Sequence, residues 1–164
     1  MSLDSQKLLD KTGWELLRLL QENARMSFAD LGKEVGLTAS GVADRIRRME
    51  DAGIITRYRA EIDLSKIGLP INAMMRVTVN GPSKRFVEML QDVVEVRECH
   101  RVTGSDCFIL KLSLASTSHL EALIDSFEPY GHQITTMFVL SSPVPDRSVG
   151  PDLVEASSRF KKLK

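Results

Sequence analysis

The stretch "MSFADLGKEVGLTASGVADRIRRMEDAGII", residues 26–55, contains two short helical patterns joined by a glycine. Ser27 and Thr38 precede the two patterns, and each side chain can accept a hydrogen bond from the first turn of its helix. Gly36 is suited to end the first pattern, because glycine readily takes the left-handed conformation of a helix C-cap. Two short helices around a tight turn predict a helix-turn-helix unit.

The second helical pattern separates apolar from polar residues. At 100° per residue, Val42, Ile46 and Met49 fall on one side and must pack against the preceding helices. The other side has small residues near the helix start and arginines further along, which suits entry into the major groove of DNA. An arginine fork can bond guanine or phosphate. The predicted DNA-binding residues are Thr38, Ser40, Gly41, Asp44, Arg45, Arg47 and Arg48.

An ordinary solvated helix is the alternative interpretation of these charges. Asp44 with Arg48, and Arg47 with Asp51, stand four positions apart and could form ion pairs on an exposed face. The setting favours DNA binding, because the two helices and their glycine-centred turn are followed by an extended stretch with two further arginines.

A third helical pattern precedes these two, and an extended segment follows them. "TGWELLRLLQEN" places the leucines of residues 16–20 on one broad helical stripe. Thr12 and Glu15 have the spacing of a capping box at its start, with Asp10 as a rival N-cap. The β-branched, alternating segment "IITRYRAEIDL" predicts a strand that leads out of the helices.

Strand and helix patterns take turns in the second half. "INAMMRVTVN" alternates apolar and polar residues, which predicts a half-buried strand. The helical pattern "SKRFVEMLQDVV", the strand patterns "EVRECHRV" and "CFILKLSLA", the helical pattern "TSHLEALIDSFEPYG" and the strand pattern "QITTMFVLSS" follow in that order. The order β-α-β-β-α-β predicts a ferredoxin-like unit, and therefore an α+β protein.

These patterns predict four segments. We expect a helix-turn-helix domain over residues 1–56, a linker strand over 57–70 and a ferredoxin-like domain for ligand binding and oligomerisation over 71–142. The stretch Gly68-Leu69-Pro70 marks the boundary between the halves. Residues 143–164 are punctuated by proline and glycine, which predicts a mobile C-terminal tail in preference to a docked helix.

Composition and charge exclude several classes of protein. The formal net charge is zero, so contact with nucleic acid must come from a local patch. The N-terminus lacks a signal-peptide pattern and no apolar run approaches the roughly 20 residues of a membrane helix, which predicts a cytoplasmic protein without membrane contact. Cys99 and Cys107 form no disulfide framework, and the histidines have no acidic, thiol or metal-ligand partner at a recognisable spacing. We predict no catalytic residue, no metal and no cofactor.

Three stretches resemble the Lrp/AsnC, or feast/famine, family of transcriptional regulators. They are "LDKTGWELLRLLQENARMSFADLGKEVGLTASGVADRIRRMEDAGIITRYRAEID", "VRECHRVTGSDCFILKL" and "ITTMFVL", and with the intervening segments they cover residues 9–142 in family order. The resemblance implies a winged helix-turn-helix domain and a ferredoxin-like (RAM-type) domain that dimerises sheet to sheet. It also implies that dimers assemble to tetramers or octamers, and that an amino acid or related metabolite modulates assembly and DNA binding.

The same resemblance implies an effector site. The segment "VTGSDCF" matches the family's strand–turn–strand element beside the ligand, and a threonine on the last strand matches another position near it. The implied effector-binding residues are Thr103, Gly104, Ser105, Asp106 and Thr136.

Two residues depart from the family pattern. Gly13 stands where relatives often have an acidic residue, which weakens the local cap. Cys107 stands where many members have an aspartate, and Asp106 comes one position earlier. One step along a strand reverses the direction of a side chain, so the identity of the effector stays open.

The favoured function is that of a homo-oligomeric, sequence-specific regulator of transcription that binds double-stranded DNA and a small-molecule effector. Two alternatives belong to other classes. One is a metabolite-binding regulatory or enzyme subunit that uses the ferredoxin-like domain as a sensor. The other is a protein-interaction module whose helix-turn-helix binds protein instead of DNA.

Overall fold

The computed structural model describes residues 7–79, 81–104, 108–144 and 146–159, apart from the side chains of residues 131, 132 and 157–159. The chain divides into two units. Residues 1–60 and 144–164 belong to the first, and residues 61–143 belong to the second. The end of the chain therefore belongs to the same unit as the predicted helix-turn-helix.

The N-terminal part of the first unit contains α1 (Lys11–Glu22), α2 (Phe28–Val35) and α3 (Ala39–Asp51). Ser27 and Thr38 cap α2 and α3 as predicted, each through a hydrogen bond of 3.1 Å from a backbone N–H of the first turn. Such caps satisfy N–H groups that have no partner within the helix.

The cap of α1 differs from the capping box that the sequence favoured. Asp10, not Thr12, is the N-cap, and its Oδ1 accepts a hydrogen bond of 2.8 Å from Gly13 N–H. Glu15 pairs with Arg18 at 2.6 Å. The rival N-cap is therefore the correct one, because the helix begins two residues earlier than the capping box would require.

Gly13 has a packing role that the sequence did not reveal. The residue is buried, and a Cβ atom built on it would overlap the carbonyl oxygen of Leu8 and lie 3.0 Å from Met49 Cε. The missing side chain allows the chain before α1 to approach the first turn of that helix closely. The departure from the family pattern thus affects packing in addition to capping.

One apolar core joins the three helices. Gly36 ends α2 at a φ of 69° and turns the chain tightly toward α3. The sequence placed Leu17 on the core stripe of α1, but its side chain is only half-buried, on another side of that helix. The buried members of the core are Leu16, Leu19, Leu20, Leu31, Val42 and Ile46.

The predicted linker strand over 57–70 is wrong for the single chain. Residues 56–63 have no regular secondary structure, and a 3₁₀ turn follows at Leu64–Ile67. A strand exists only through hydrogen bonds to a neighbouring strand. The alternating sequence predicts an extended backbone, but it cannot supply that neighbour.

The second unit has the predicted β-α-β-β-α-β order. Its four strands are antiparallel and lie side by side in the order β2-β3-β1-β4, which is the ferredoxin-like arrangement. The elements are β1 (Ile71–Val79), α4 (Ser83–Leu90), β2 (Val96–Arg101), β3 (Phe108–Leu114), α5 (Thr117–Phe127) and β4 (Gly131–Phe138).

The two helices of this unit cover one face of the sheet. Ala73, Met75 and Val77 alternate along β1, are fully buried and belong to the same core as residues of both helices. The ring of Phe86 lies 5.1 Å from that of Phe108 and 5.9 Å from that of Phe127, measured between centroids. The predicted apolar face of β1 is therefore the core face.

The C-terminal segment differs from the predicted mobile tail. Strand β4 ends at Phe138, and a helix, α6 (Pro151–Arg159), forms near the end of the chain. Val149 hydrogen-bonds to the side chain of Gln21 in α1. Proline fits the first position of a helix, which explains why the proline-punctuated sequence still allows one. No helix in the described part of the chain is long and apolar enough to cross a membrane.

Candidate DNA-binding surface and effector region

Helix α3 is anchored by one side and exposed on the other. Val42, Ile46 and Met49 are at most 3% exposed, as the helical wheel predicted. Their burial fixes the rotation of α3 about its axis, so the polar positions between them point away from the core. The residues predicted to bind DNA lie on this helix or at its N-cap.

The start of α3 presents small residues to solvent. Thr38 and Ser40 are exposed, and their hydroxyl oxygens lie 3.1 Å apart. The Thr38 hydroxyl also caps the helix at Gly41, where a Cβ atom would lie 3.2 Å from that same oxygen. Because these side chains are small, another molecule can approach the backbone of the first turn of α3 closely.

Arg45 is not on the free surface of α3. Its guanidinium forms an ion pair with Asp10, the N-cap of α1, and its side chain is only 23% exposed. The Asp10 carboxylate thus binds a backbone N–H of α1 and a side chain of α3. The Gly13 N–H and, in smaller part, Arg45 hold the pKa of Asp10 below its ordinary value. The Arg45 side chain therefore connects α3 to the N-terminus of α1.

Arg47 and Arg48 differ from Arg45 and from each other. Arg47 forms an ion pair of 2.8 Å with Asp44, three positions away, and both side chains are exposed. The alternative pairs considered from the sequence, which would have joined Arg48 to Asp44 and Arg47 to Asp51, do not form. Within the described ranges, the exposed side chain of Arg48 has no ion pair. It is the one arginine of α3 available without breaking a contact.

A further contact joins α3 to the segment after it. The hydroxyl of Tyr58 donates a hydrogen bond of 3.0 Å to Glu50 Oε1. Tyr58 as a whole is 47% exposed, but desolvation of its phenol, and then the bond and charge of Glu50, raise its pKa to about 12. Nothing in the sequence pattern identified this contact, although the spacing of eight positions across Gly53 places both residues near one turn.

The residues of the implied effector site fall in two places. Thr103 and Gly104 are exposed in the turn after β2, and Gly104 has a φ of 119°, which favours glycine. Ser105 and Asp106 lie outside the described residues, as does Cys107. Thr136 lies in β4, directly opposite Met75 of β1 and on the helix-covered face.

The single chain does not bring Thr136 next to the turn. Strand β1 lies between β4 and β3, so two strand spacings, about 9–10 Å, separate β4 from the strand that follows the turn. The Oγ1 atom of Thr136 is buried and has no hydrogen-bond partner among the described residues. A buried hydroxyl without a partner is costly, so this atom is a candidate for contact with a ligand.

Two histidines have acidic partners that their spacing in the sequence did not reveal. His119 Nε2 lies 2.7 Å from Glu95 Oε1, and His100 Nε2 lies 3.3 Å from Glu98 Oε2. Each pair joins one histidine to one carboxylate. Within the described ranges, no group of three or more histidine, cysteine or acidic side chains could hold a metal ion.

The fold and the exposed side of α3 define a two-domain helix-turn-helix regulator with a ferredoxin-like second domain. Comparison with known proteins agrees. Residues 9–50 match the AsnC-type helix-turn-helix domain, and residues 72–149 match the Lrp/AsnC ligand binding domain. The chain belongs to the Lrp/AsnC family of transcriptional regulators.

Relatives of known sequence and structure cover most of the chain. The HTH-type transcriptional regulator LrpC of Bacillus subtilis is 31% identical over 128 residues, which are 77% of this chain and 89% of LrpC. The solved structure of LrpC superposes with a TM-score of 0.80 at 30% identity, covering 84% of this chain and 99% of that one.

Two further solved relatives contain a bound amino acid. A transcriptional regulator from Neisseria meningitidis, in complex with L-methionine, has a TM-score of 0.81 at 25% identity and covers 89% of this chain and 99% of its own. The feast or famine regulatory protein of M. tuberculosis, also complexed with L-methionine, has a TM-score of 0.79 at 27% identity over 87% of this chain and 99% of its own.

Proposed function

We propose that this regulator inserts the start of α3 into the major groove of double-stranded DNA. The observation that carries the proposal is the exposed side of α3, where Ser40 and Gly41 are followed by Arg48. Small residues permit close approach to base edges, and a free arginine can bond guanine or phosphate. Arg47 contributes to the same surface once its surface pair with Asp44 exchanges for phosphate.

The remaining predicted contact residues support α3 without all touching DNA. Thr38 caps the helix and orients its first turn, which presents N–H groups toward a phosphate. Arg45 holds α3 against the start of α1 through Asp10. In this proposal Arg45 is a positioning residue, whereas Arg48 makes direct contact.

The proposed active form is a homodimer that assembles further to a tetramer or octamer. One copy of α3 with one unpaired arginine gives a small electrostatic footprint. Two linked copies bind more tightly, because the second contact becomes effectively intramolecular. We expect half-sites separated by one helical turn of DNA or a multiple of it.

The proposed effector is an amino acid, bound in the ferredoxin-like unit by Thr103, Gly104, Ser105, Asp106 and Thr136. The L-methionine bound by the two solved relatives supports this class of ligand. Because β1 separates Thr136 from the turn, a complete site in this proposal needs a second copy of the chain. Such a ligand acts only through different affinities for two states of assembly. In this proposal the protein works in the cytoplasm and catalyses no reaction.

The test of DNA binding begins with an unbiased site. Fragments retained by the protein from genomic DNA are labelled and titrated by fluorescence anisotropy against a scrambled fragment. Arg48→Ala is expected to weaken specific binding by about 1–3 kcal/mol without changing the free energy of unfolding. Arg45→Ala is expected to lower both the affinity for DNA and the free energy of unfolding, because it removes the ion pair between α3 and the N-cap of α1.

Arg85→Ala is the matched control, since it removes an exposed arginine from α4 in the other unit. It is expected to bind as the parent protein does. Selection of no fragment, or parental affinity in Arg48→Ala, would overturn the assignment of α3 and favour a protein-binding helix-turn-helix.

A further inference from the structure

Helix α1 has a second apolar side that the three-helix core does not use. Trp14, Leu17 and Gln21 recur at helical spacing on this side, well rotated from the core leucines. Together with Ile55 and the residues after it they line a groove of about 620 Å³ within the first unit. The lining is mixed, because Arg57, Tyr58 and Asp146 border the groove beside the apolar side chains.

A later segment of the same chain forms part of the wall of this groove. Asp146 and Val149 line it together with the α1 side chains. The Gln21 carboxamide binds the backbone of Val149 in both directions: the Val149 N–H donates to Oε1 at 2.7 Å, and Nε2 donates to the Val149 carbonyl oxygen at 3.0 Å. A side-chain amide that satisfies both backbone groups of one residue imitates a step of β-sheet pairing.

The position of this segment in the chain gives the contact its importance. The ferredoxin-like unit comprises residues 61–143, and residues on both sides of it belong to the first unit. With the segment Asp146–Val149 bound to α1, the second unit is attached to the first on both of its sides. The contact between Gln21 and Val149 is one part of the second attachment.

We propose that the outer side of α1 is a receptor for the segment Asp146–Val149 of the same chain, and that this docking gives the ferredoxin-like unit a second attachment to the DNA-binding unit. The consequence for DNA rests on the proposed function. Two attachments restrict the paired DNA-binding units of an oligomer more than one flexible connection does. Restriction raises the effective concentration of the second unit at its half-site.

Gln21→Ala in the full chain tests the docking directly. Alanine is a better helix former than glutamine, so α1 stays intact. Trypsin cleaves after Arg147, which lies inside the docked segment. Loss of two hydrogen bonds is expected to accelerate this cleavage roughly tenfold. Trp14 is the single tryptophan of the chain, and its fluorescence should become more accessible to acrylamide in the same variant.

Gln91→Ala is the matched control, because it makes the same substitution at an exposed position after α4. It should leave cleavage and quenching as in the parent. Equal cleavage rates and equal quenching in Gln21→Ala and the parent would overturn the docking. A cleavage rate that rises when the protein is diluted would show that a second copy supplies the segment, which also contradicts the proposal.

The effect on DNA is measured separately, on a fragment selected by the parent protein. Gln21→Ala is expected to bind it several-fold more weakly than Gln91→Ala does. Accelerated cleavage with unchanged DNA affinity would contradict the second attachment while leaving DNA binding intact. Cleavage and quenching need no DNA, so they report on the docking even where the proposed function fails.

Discussion

Gly13 lies where the chain before α1 touches the first turn of that helix. A side chain there would overlap a backbone carbonyl, and backbone cannot move aside as a flexible side chain can. The N–H of the same residue binds Asp10, which in turn binds Arg45 of α3. One glycine therefore supports both the start of α1 and the contact that orients α3.

Gly13→Ala is expected to lower the free energy of unfolding by about 1–3 kcal/mol, the usual cost of overfilling a packed site. Urea denaturation followed by circular dichroism measures the change. Gly150→Ala is the control, because a Cβ atom at Gly150 would meet nothing within 4 Å and should change stability by less than about 0.5 kcal/mol. Equal stabilities of the two variants would mean that the backbone before α1 shifts freely.

Single residues also mark the limit of what the sequence predicts. The helical wheel identified the buried side of α3 correctly, and it placed three arginines together on or beside the other side. It could not distinguish them, because the partner of Arg45 stands 35 positions away in the chain and beside another helix. Local spacing predicts which residues share a helix face. A contact between helices requires the fold.

At the scale of elements, the contact between Tyr58 and Glu50 joins α3 to the extended segment that follows it. Arg57 and Arg59 flank Tyr58 and are exposed. The hydrogen bond therefore limits where this arginine-bearing segment can lie relative to the end of α3.

Spectrophotometric titration should place the phenol of Tyr58 at a pKa of about 12. Glu50→Gln is expected to lower this pKa only in part, because desolvation of the phenol is the larger cause. The raised pKa favours the neutral phenol in the folded state, so its contribution to stability is complete below about pH 10, the ordinary tyrosine value, and is lost as pH rises toward 12. Tyr58→Phe removes that pH dependence. An unshifted midpoint for Tyr58 would mean that the contact is absent in solution.

The elements themselves were predictable to different degrees. The strands and helices of the second unit follow from clear periodicities of two and 3.6 residues, because each has one face in a single core. The linker strand was not predictable, since an extended sequence does not specify its hydrogen-bonding partner. The contact of the C-terminal segment with α1 was not predictable for a related reason. Gln21 binds the backbone of Val149, and the pattern of side chains in a sequence does not report backbone contacts.

At the scale of the whole molecule, the order of strands separates the two parts of the proposed effector site. Thr136 and the turn after β2 belong to opposite sides of β1. In the proposed site, a ligand that contacts both parts joins two copies of the chain, and this would couple ligand binding to assembly.

L-methionine is the first probe of this connection, measured by sedimentation velocity and calorimetry. Thr136→Val is expected to weaken binding of the probe by about twofold to tenfold, the value of one neutral hydrogen bond. It should not lower stability, because the hydroxyl has no partner among the described residues. Thr135→Val is the control, since that side chain lies on the opposite face, paired with Arg76. A large loss of stability in Thr136→Val would show that the hydroxyl is already satisfied without ligand.

The pairing of two of the three arginines on α3 has a consequence for how the protein responds to ionic strength. Arg45 and Arg47 are already neutralised by carboxylates of the same chain. A phosphate that binds Arg47 must replace Asp44, so in the proposed complex the slope of log affinity against log salt concentration is shallower per copy than three unpaired arginines would give.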